Sequence, residues 1–303
     1  MKVNPEITSL INEIRDDKTH GASELARQAV ALLKSAAEQS QANSTRQFLL
    51  EQKEIGQKLM STRPAMAPLS NIVGRLLSTL AAEAEGLDLD SVKRLTLSRA
   101  DAIIQDSLQA VARIAYLGSE LIAPRDSIMT HSYSSTVVAV LKDAFNKHRN
   151  IEVIVTRSGP GRTGERIAQE LGTLGVPVTF IDDTAAGLYI PSANKVVVGA
   201  DRICTDGGVV NGIGTYALAL AAQKAGIPLY VFCETLKFDS RLNSHEVDLE
   251  EKEVSEVVAP GSLPKGVSVK NPYFDITPLE LVKGVVTERG FLTPEEVIRY
   301  LTG

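Results

Sequence analysis

The chain is expected to fold as an α/β protein: a helical N-terminal domain, residues 1–123, then a domain on a mainly parallel sheet, residues 124–303. Three observations point there. Ala-rich segments with a 3.6-residue apolar period fill the first third and stop before Pro124. Beyond it, short β-branched runs alternate with amphipathic stretches at the spacing of βαβ units. One such run, Val196-Val197-Val198-Gly199-Ala200, has the composition of a buried parallel strand and ends abruptly at a carboxylate, Asp201.

The helical periodicity predicts helices over about Ser23–Gln39, Ser44–Met60, Pro68–Glu85 and Asp90–Ile122. Asn43-Ser44, Thr62-Arg63-Pro64 and Gly86-Leu87-Asp88 separate them with caps and breakers. Strands are expected at Ser127–His131, Ile151–Thr156, Val176–Ile181, Lys195–Ala200 and Leu229–Cys233. Helices fall between them near Thr136–Lys147, Glu165–Leu174 and Thr215–Ala225. The charged, then Pro- and Gly-bearing segment Ser240–Pro264 reads as a surface excursion. Thr277-Pro278 and Thr293-Pro294 each place a capping residue before proline, which predicts two last helices, Pro278–Glu288 and Pro294–Leu301.

Composition narrows the function. With 32 Lys and Arg against 37 Asp and Glu, the net charge of −5 excludes a broadly basic nucleic-acid surface, so no direct nucleic-acid partner is expected. The start, Met1-Lys2-Val3-Asn4-Pro5-Glu6, lacks a secretory apolar region, and no apolar run approaches the ~20 residues that span a bilayer. The chain is therefore expected to be cytoplasmic, with no membrane partner. Cys204 and Cys233 have no metal-ligand spacing, and the 4 histidines include no His-Glu-x-x-His, so neither a metal nor a cofactor is expected.

Candidate chemistry gathers at expected strand ends. Asp201 would stand at the carboxyl edge of the sheet, where open α/β folds bind ligands; the plainer reading is a capping Asp. Thr130-His131-Ser132-Tyr133-Ser134-Ser135-Thr136 opens a helix with hydroxyls that can cap it, bind phosphate, or both. Gly21-Ala22-Ser23 opens another helix, Arg63 stands in a linker, and Lys237 follows the last strand. Together these suggest one anion pocket between the helical domain and the sheet edge. Gly159-Pro160-Gly161-Arg162-Thr163-Gly164 is a literal dinucleotide fingerprint, with Asp182-Asp183 about twenty residues on. Its proline and the two polar residues before it fit that role poorly. The absence of Lys-Ser/Thr after Gly164 excludes a Walker loop.

The chain resembles the superfamily of translation initiation factor 2B α/β/δ subunits, archaeal initiation-factor-2B-like proteins, ribose-1,5-bisphosphate isomerases and methylthioribose-1-phosphate isomerases. Along essentially the whole chain, the resemblance is carried by His20-Gly21-Ala22-Ser23, Arg63-Pro64, Thr130-His131-Ser132-Tyr133-Ser134, Gly199-Ala200-Asp201-Arg202-Ile203, Asn211-Gly212-Ile213-Gly214-Thr215, Glu234-Thr235-Leu236-Lys237-Phe238 and Asn271-Pro272-Tyr273-Phe274-Asp275-Ile276-Thr277-Pro278. It implies a Rossmann-like C-terminal domain through which subunits pair. It implies Asp201 as proton donor of an aldose–ketose isomerisation, with Ser132 where the isomerases carry a catalytic Cys. Sugar and phosphate contacts would map to Gly21, Ala22, Ser23, Arg63, Ser134, Ser135, Thr136, Asn211 and Lys237.

Two departures shape the expectation. A serine hydroxyl, unlike a thiol, supplies no base at neutral pH without an activating partner. Gly212 stands where the isomerases tend to carry Lys. The resulting expectation is a non-catalytic initiation factor 2B α/δ-like subunit. It would bind a sugar phosphate or nucleotide without turnover, act in regulating translation initiation, and assemble as a homodimer or higher homo-oligomer or with initiation factor 2 subunits. The alternative is an active ribose-1,5-bisphosphate isomerase; the second alternative is an NAD-dependent enzyme using Gly159–Gly164.

Overall fold

A computed structural model describes residues 5–147 and 149–303. Packing divides the chain into two compact units between Ala110 and Val111. The helical unit holds α1 (Pro5–Asp16), α2 (Ala22–Gln39), α3 (Thr45–Met60), α4 (Ala67–Glu83) and most of α5 (Leu89–Glu120). Each of α1 to α4 buries one apolar stripe, such as Leu25, Ala29, Leu32 and Ala36 on α2, as amphipathic periodicity requires. Ser44 caps α3 by accepting from the Gln47 N–H, so the breaker Asn43-Ser44 starts the helix where the sequence says. The expected boundary at 123/124 follows α5, but Ile114 and Ile122 pack with Ile128, Val137 and Leu141, so the end of α5 belongs to the second unit.

The second unit runs β1 (Ser127–His131), α6 (Ser135–Asn146), β2 (Glu152–Thr156), α7 (Gly164–Thr173), β3 (Val178–Ile181), α8 (Ala186–Tyr189), β4 (Lys195–Val198), β5 (Arg202–Ile203), β6 (Val209–Gly212), α9 (Thr215–Ala225), β7 (Leu229–Phe232), β8 (Phe274–Thr277), β9 (Gly284–Thr287), β10 (Gly290–Leu292) and α10 (Pro294–Thr302). The main sheet has the order β10-β9-β7-β4-β1-β2-β3 and is parallel except for β10. Val196 and Val198 of β4 face one apolar layer with Leu218, Ala222 and Val297; Val197 faces the other, with Val137, Ile167 and Phe232. Burial on both faces is why the strand reads as an unbroken apolar run. The chain leaves β1 for β2 on one side and returns through β4 on the other, so the switch point of the topology lies between β1 and β4.

One helix that the sequence predicts does not form. Pro278–Glu288 is not a helix: a short turn, Leu279–Leu281, leads to β9, which pairs in parallel with β7 and antiparallel with β10. Thr277-Pro278 resembles a helix start, but Val285 and Val286 are β-branched and buried between layers, and Gly284 and Gly290, poor helix formers, open β9 and β10. A second sheet, β5-β6-β8, is antiparallel and joins the loop after β4 to the segment before Pro278. Ser240–Pro264 runs mostly exposed, with turns at Ser244–Glu246 and Val254–Glu256. Among the described residues no helix is long and apolar enough to cross a membrane.

Candidate functional site

The register His131↔Val198 sets the turn after β1 beside the Gly199–Asp201 segment that leaves β4. Three glycines let these backbones meet. A Cβ on Gly199 would stand 2.7 Å from the Ser134 Oγ; one on Gly212 would stand 2.7 Å from the Ser132 Cβ; one on Gly214 would stand 2.9 Å from the His131 ring. The turn after β1 is thus fitted against the ends of β4 and β6 at residues 131, 132 and 134. Ser132 adopts a left-handed φ of 63°, and its N–H donates to the buried Ser158 Oγ at 2.8 Å.

The ring of His131 is locked and buried. Its Nε2–H donates to the Ile213 carbonyl at 2.8 Å, so Nδ1 is left to accept from the Thr156 hydroxyl at 2.7 Å. Burial pushes its pKa down, against hydrogen bonding to Ile213 and the charge of Asp183, so the imidazole is neutral near pH 7. This histidine fixes the turn rather than carrying protons.

Asp201 is half-buried, and its N–H donates to the Val210 carbonyl at 2.8 Å, extending the β5–β6 ladder. Asn211 is buried and donates through Nδ2 to the Thr215 hydroxyl at 3.0 Å. Ser134 spends its Oγ acceptor on capping α6 through the Val137 N–H, leaving its own proton to donate; Ser135 and the buried Thr136 follow in the first turn.

Lys237 lies in the turn Thr235–Lys237 after β7 and is only 5 % exposed, yet among the described residues its ammonium makes no ion pair and no hydrogen bond. Buried lysines are normally paired. The segment that carries it is tied to β5 by the buried Arg202–Asp239 ion pair and by the Asp239 N–H to the Ile203 carbonyl at 2.9 Å.

In the helical unit, Gly21 precedes α2 as its cap residue, Ala22 and Ser23 form its buried first turn, and Arg63 is buried too. Arg63 donates through Nη1 to the Asp17 carbonyl at 2.9 Å, while the Asp17 carboxylate accepts the N–H groups of Thr19 and His20. Arg63 therefore lies against the loop that leads to Gly21. The structure groups Gly21, Ala22, Ser23 and Arg63 in one unit, and Ser132, Ser134, Ser135, Thr136, Asp201, Asn211 and Lys237 in the other.

Asp275 was not singled out by its chemistry in the sequence. It pairs with Asn211 across β6 and β8, and its Oδ2 accepts the N–H groups of Gly214 (2.8 Å) and Tyr216 (3.1 Å) at the start of α9. Its Oδ1 is buried without a partner among the described residues. Burial raises its pKa to about 6, against those two backbone hydrogen bonds. The signal was its place within Asn271–Pro278.

The loop Gly159–Gly164 does not present a dinucleotide cradle. The Asp183 carboxylate accepts the N–H groups of Ser158 and Gly159, both at 2.7 Å, so the chain supplies its own anion to this turn. A cavity of about 320 Å³ adjoins it, lined by His131, Thr156, Asp183 and Gly214 with residues of α8 and α9, and none of the residues mapped to ligand or catalysis lines it. Neither cysteine is disposed to act as a thiolate: burial pushes Cys204 up to about 12 and Cys233 higher still.

Comparison with known proteins agrees with this architecture. The model of the Initiation factor 2 subunit family matches residues 18–294. The ribose 1,5-bisphosphate isomerase of Thermococcus kodakarensis is 34% identical over 306 residues, covering 99% of this chain and 95% of its own. The Pyrococcus horikoshii translation initiation factor eIF-2B superposes with a TM-score of 0.85 at 30% identity, covering 97% of this chain and 99% of its own. The 5-methylthioribose 1-phosphate isomerase of Pyrococcus horikoshii superposes with a TM-score of 0.80 at 27% identity, covering 97% and 87%. These isomerases correct the expectation of a subunit without turnover: the chain is similar to a ribose 1,5-bisphosphate isomerase over 99% of its length. The helical unit, the parallel sheet and the matched span together show that the chain belongs to the initiation factor 2 subunit family.

Proposed function

We propose that the chain is an aldose–ketose isomerase of a phosphorylated ribose, with ribose 1,5-bisphosphate as substrate. The carrying observation is the full-length similarity to a ribose 1,5-bisphosphate isomerase, beside a carboxylate, Asp201, where the chain leaves β4. Lys237, buried and lacking an ion pair among the described residues, supports an anionic ligand. Ser134, Ser135, Thr136 and Asn211 are further contacts to sugar or phosphate, and Gly21, Ala22, Ser23 and Arg63 are phosphate contacts of the helical unit.

The reaction balances without a cofactor. Asp201 gives its proton to the ring oxygen as the C1–O4 bond opens. The carboxylate so formed takes the C2 proton and returns it to C1, and the C2 hydroxyl gives up its proton as the ketone forms, restoring the acid. Ser132 offers a hydrogen bond where a thiolate would share this work. Loss of a positioned acid–base partner costs about 10²–10⁴ in rate, so turnover is slow rather than absent. Leu188, Tyr216 and Leu220, exposed on α8 and α9, support a homo-oligomer.

The test is ³¹P NMR of the purified chain with ribose 1,5-bisphosphate. Ribulose 1,5-bisphosphate is expected from the native chain and not from Asp201→Asn. No product from the native chain would overturn the reading.

A further inference from the structure

The helical unit contains an apolar groove that the isomerase reading does not use. It lies between α3 and α4, has a volume of about 760 Å³, and is walled by Leu49, Leu50, Leu77 and Leu87. That volume falls within the ~300–1,000 Å³ of small-molecule sites. Leu50 is 57 % exposed, so the groove is open.

Two polar features mark it as a ligand site rather than a packing defect. Gln52 lines the groove, is 1 % exposed, and neither Nε2 nor Oε1 of its carboxamide has a hydrogen-bond partner among the described residues. Buried carboxamides are almost always paired, and leaving both ends unmet is costly. A bound group with its own donor and acceptor meets both. The second feature is charge. Arg46 and Lys53 lie on the same face of α3 as Leu49 and Leu50, at the helical spacing that sets side chains side by side. Neither is in an ion pair among the described residues, and no carboxylate lines the groove.

We propose that the α3–α4 groove binds an amphiphilic organic anion: an apolar body on the leucines, an amide or hydroxyl on the Gln52 carboxamide, and the negative charge at Arg46 and Lys53. The site is independent of the sheet edge, and it stands or falls without the isomerase reading.

The probe is 8-anilinonaphthalene-1-sulfonate, which combines an apolar aromatic body, one N–H and a sulfonate. The full-length chain is expected to bind it saturably, at one site per chain, with enhanced fluorescence. Ala81→Trp fills the groove from an exposed position, and Arg46→Glu with Lys53→Glu reverses its charge; each is expected to weaken binding by about tenfold or more. Gln52→Leu is expected to weaken the probe while raising the melting temperature, since it removes an unmet buried amide. Circular dichroism melts verify that each variant folds. Non-saturable binding, or unchanged affinity in folded Ala81→Trp, would overturn the proposal. So would absence of probe binding with a changed oligomeric state in Ala81→Trp, which would make the groove a seat for another protein chain.

Discussion

Ser132 fills the space that a side chain on residue 212 would need: a Cβ on Gly212 would stand 2.7 Å from the Ser132 Cβ. Two residues eighty positions apart in the sequence therefore form one local arrangement. Gly212→Ala is expected to destabilise the fold by about 1–3 kcal/mol through overpacking. The same change in a Ser132→Gly background is expected to cost far less. Urea unfolding of the four chains measures the coupling, and additive effects would show that the two residues do not share the space.

Ser132→Cys places a thiol where the proposed mechanism has only a hydroxyl. Turnover of ribose 1,5-bisphosphate is expected to rise by about tenfold or more, with a new rise in rate as pH approaches the thiol's ~8.5. A rate profile identical to the native chain would remove residue 132 from proton transfer.

Lys237→Met removes a buried cation without an ion pair among the described residues. Binding of ribose 1,5-bisphosphate, read by calorimetry, is expected to weaken by about tenfold or more, while the unliganded protein melts higher because no charge remains to be desolvated. Lower stability with unchanged affinity would make Lys237 structural.

Arg63→Ala is expected to cost about 1–3 kcal/mol of stability, because the Asp17 carbonyl loses a charged donor inside the helical unit. Arg63→Lys is expected to recover part of it. Chemical denaturation compares the two, and equal stability of the native chain and Arg63→Ala would show that this bond holds nothing.

Asp275 gives the stability curve a slope. Its folded pKa, about 6, exceeds the ordinary carboxyl value of 3.8, so the folded state binds the proton more tightly. Its contribution is full below pH 3.8 and is lost as pH rises through about 6. The two-unit difference corresponds to about 3 kcal/mol. Asp275→Asn is expected to melt higher than the native chain near about pH 7.5 and to lose that advantage near about pH 4. A difference independent of pH would refute the assignment.

Much of this was legible before any coordinates. The parallel strands could be read because Val196–Val198 and Val153–Val155 are buried on both faces, and the place of Asp201 past the end of β4 because a carboxylate closes such a run. The small β5-β6-β8 sheet could not be read. Its strands have two to four residues, and β6 meets β8 only after a long excursion through Ser240–Pro264. Pro278 misled because a Thr-Pro pair starts helices and strand-linking turns alike. The burial of Lys237 and the contact of Ser132 with Gly212 are tertiary facts with no period or spacing to announce them.

The clasp of Asp183 on Ser158 and Gly159 has a consequence for nucleotides. A pyrophosphate arriving at this glycine-rich bend would compete with an acid leashed to the same polypeptide, whose local concentration no dissolved rival matches. The bend keeps the spelling of a dinucleotide grip while the Ser158 and Gly159 N–H groups at its entrance are already taken by Asp183. What looks like an invitation in the letters is, in three dimensions, a closed door held from inside.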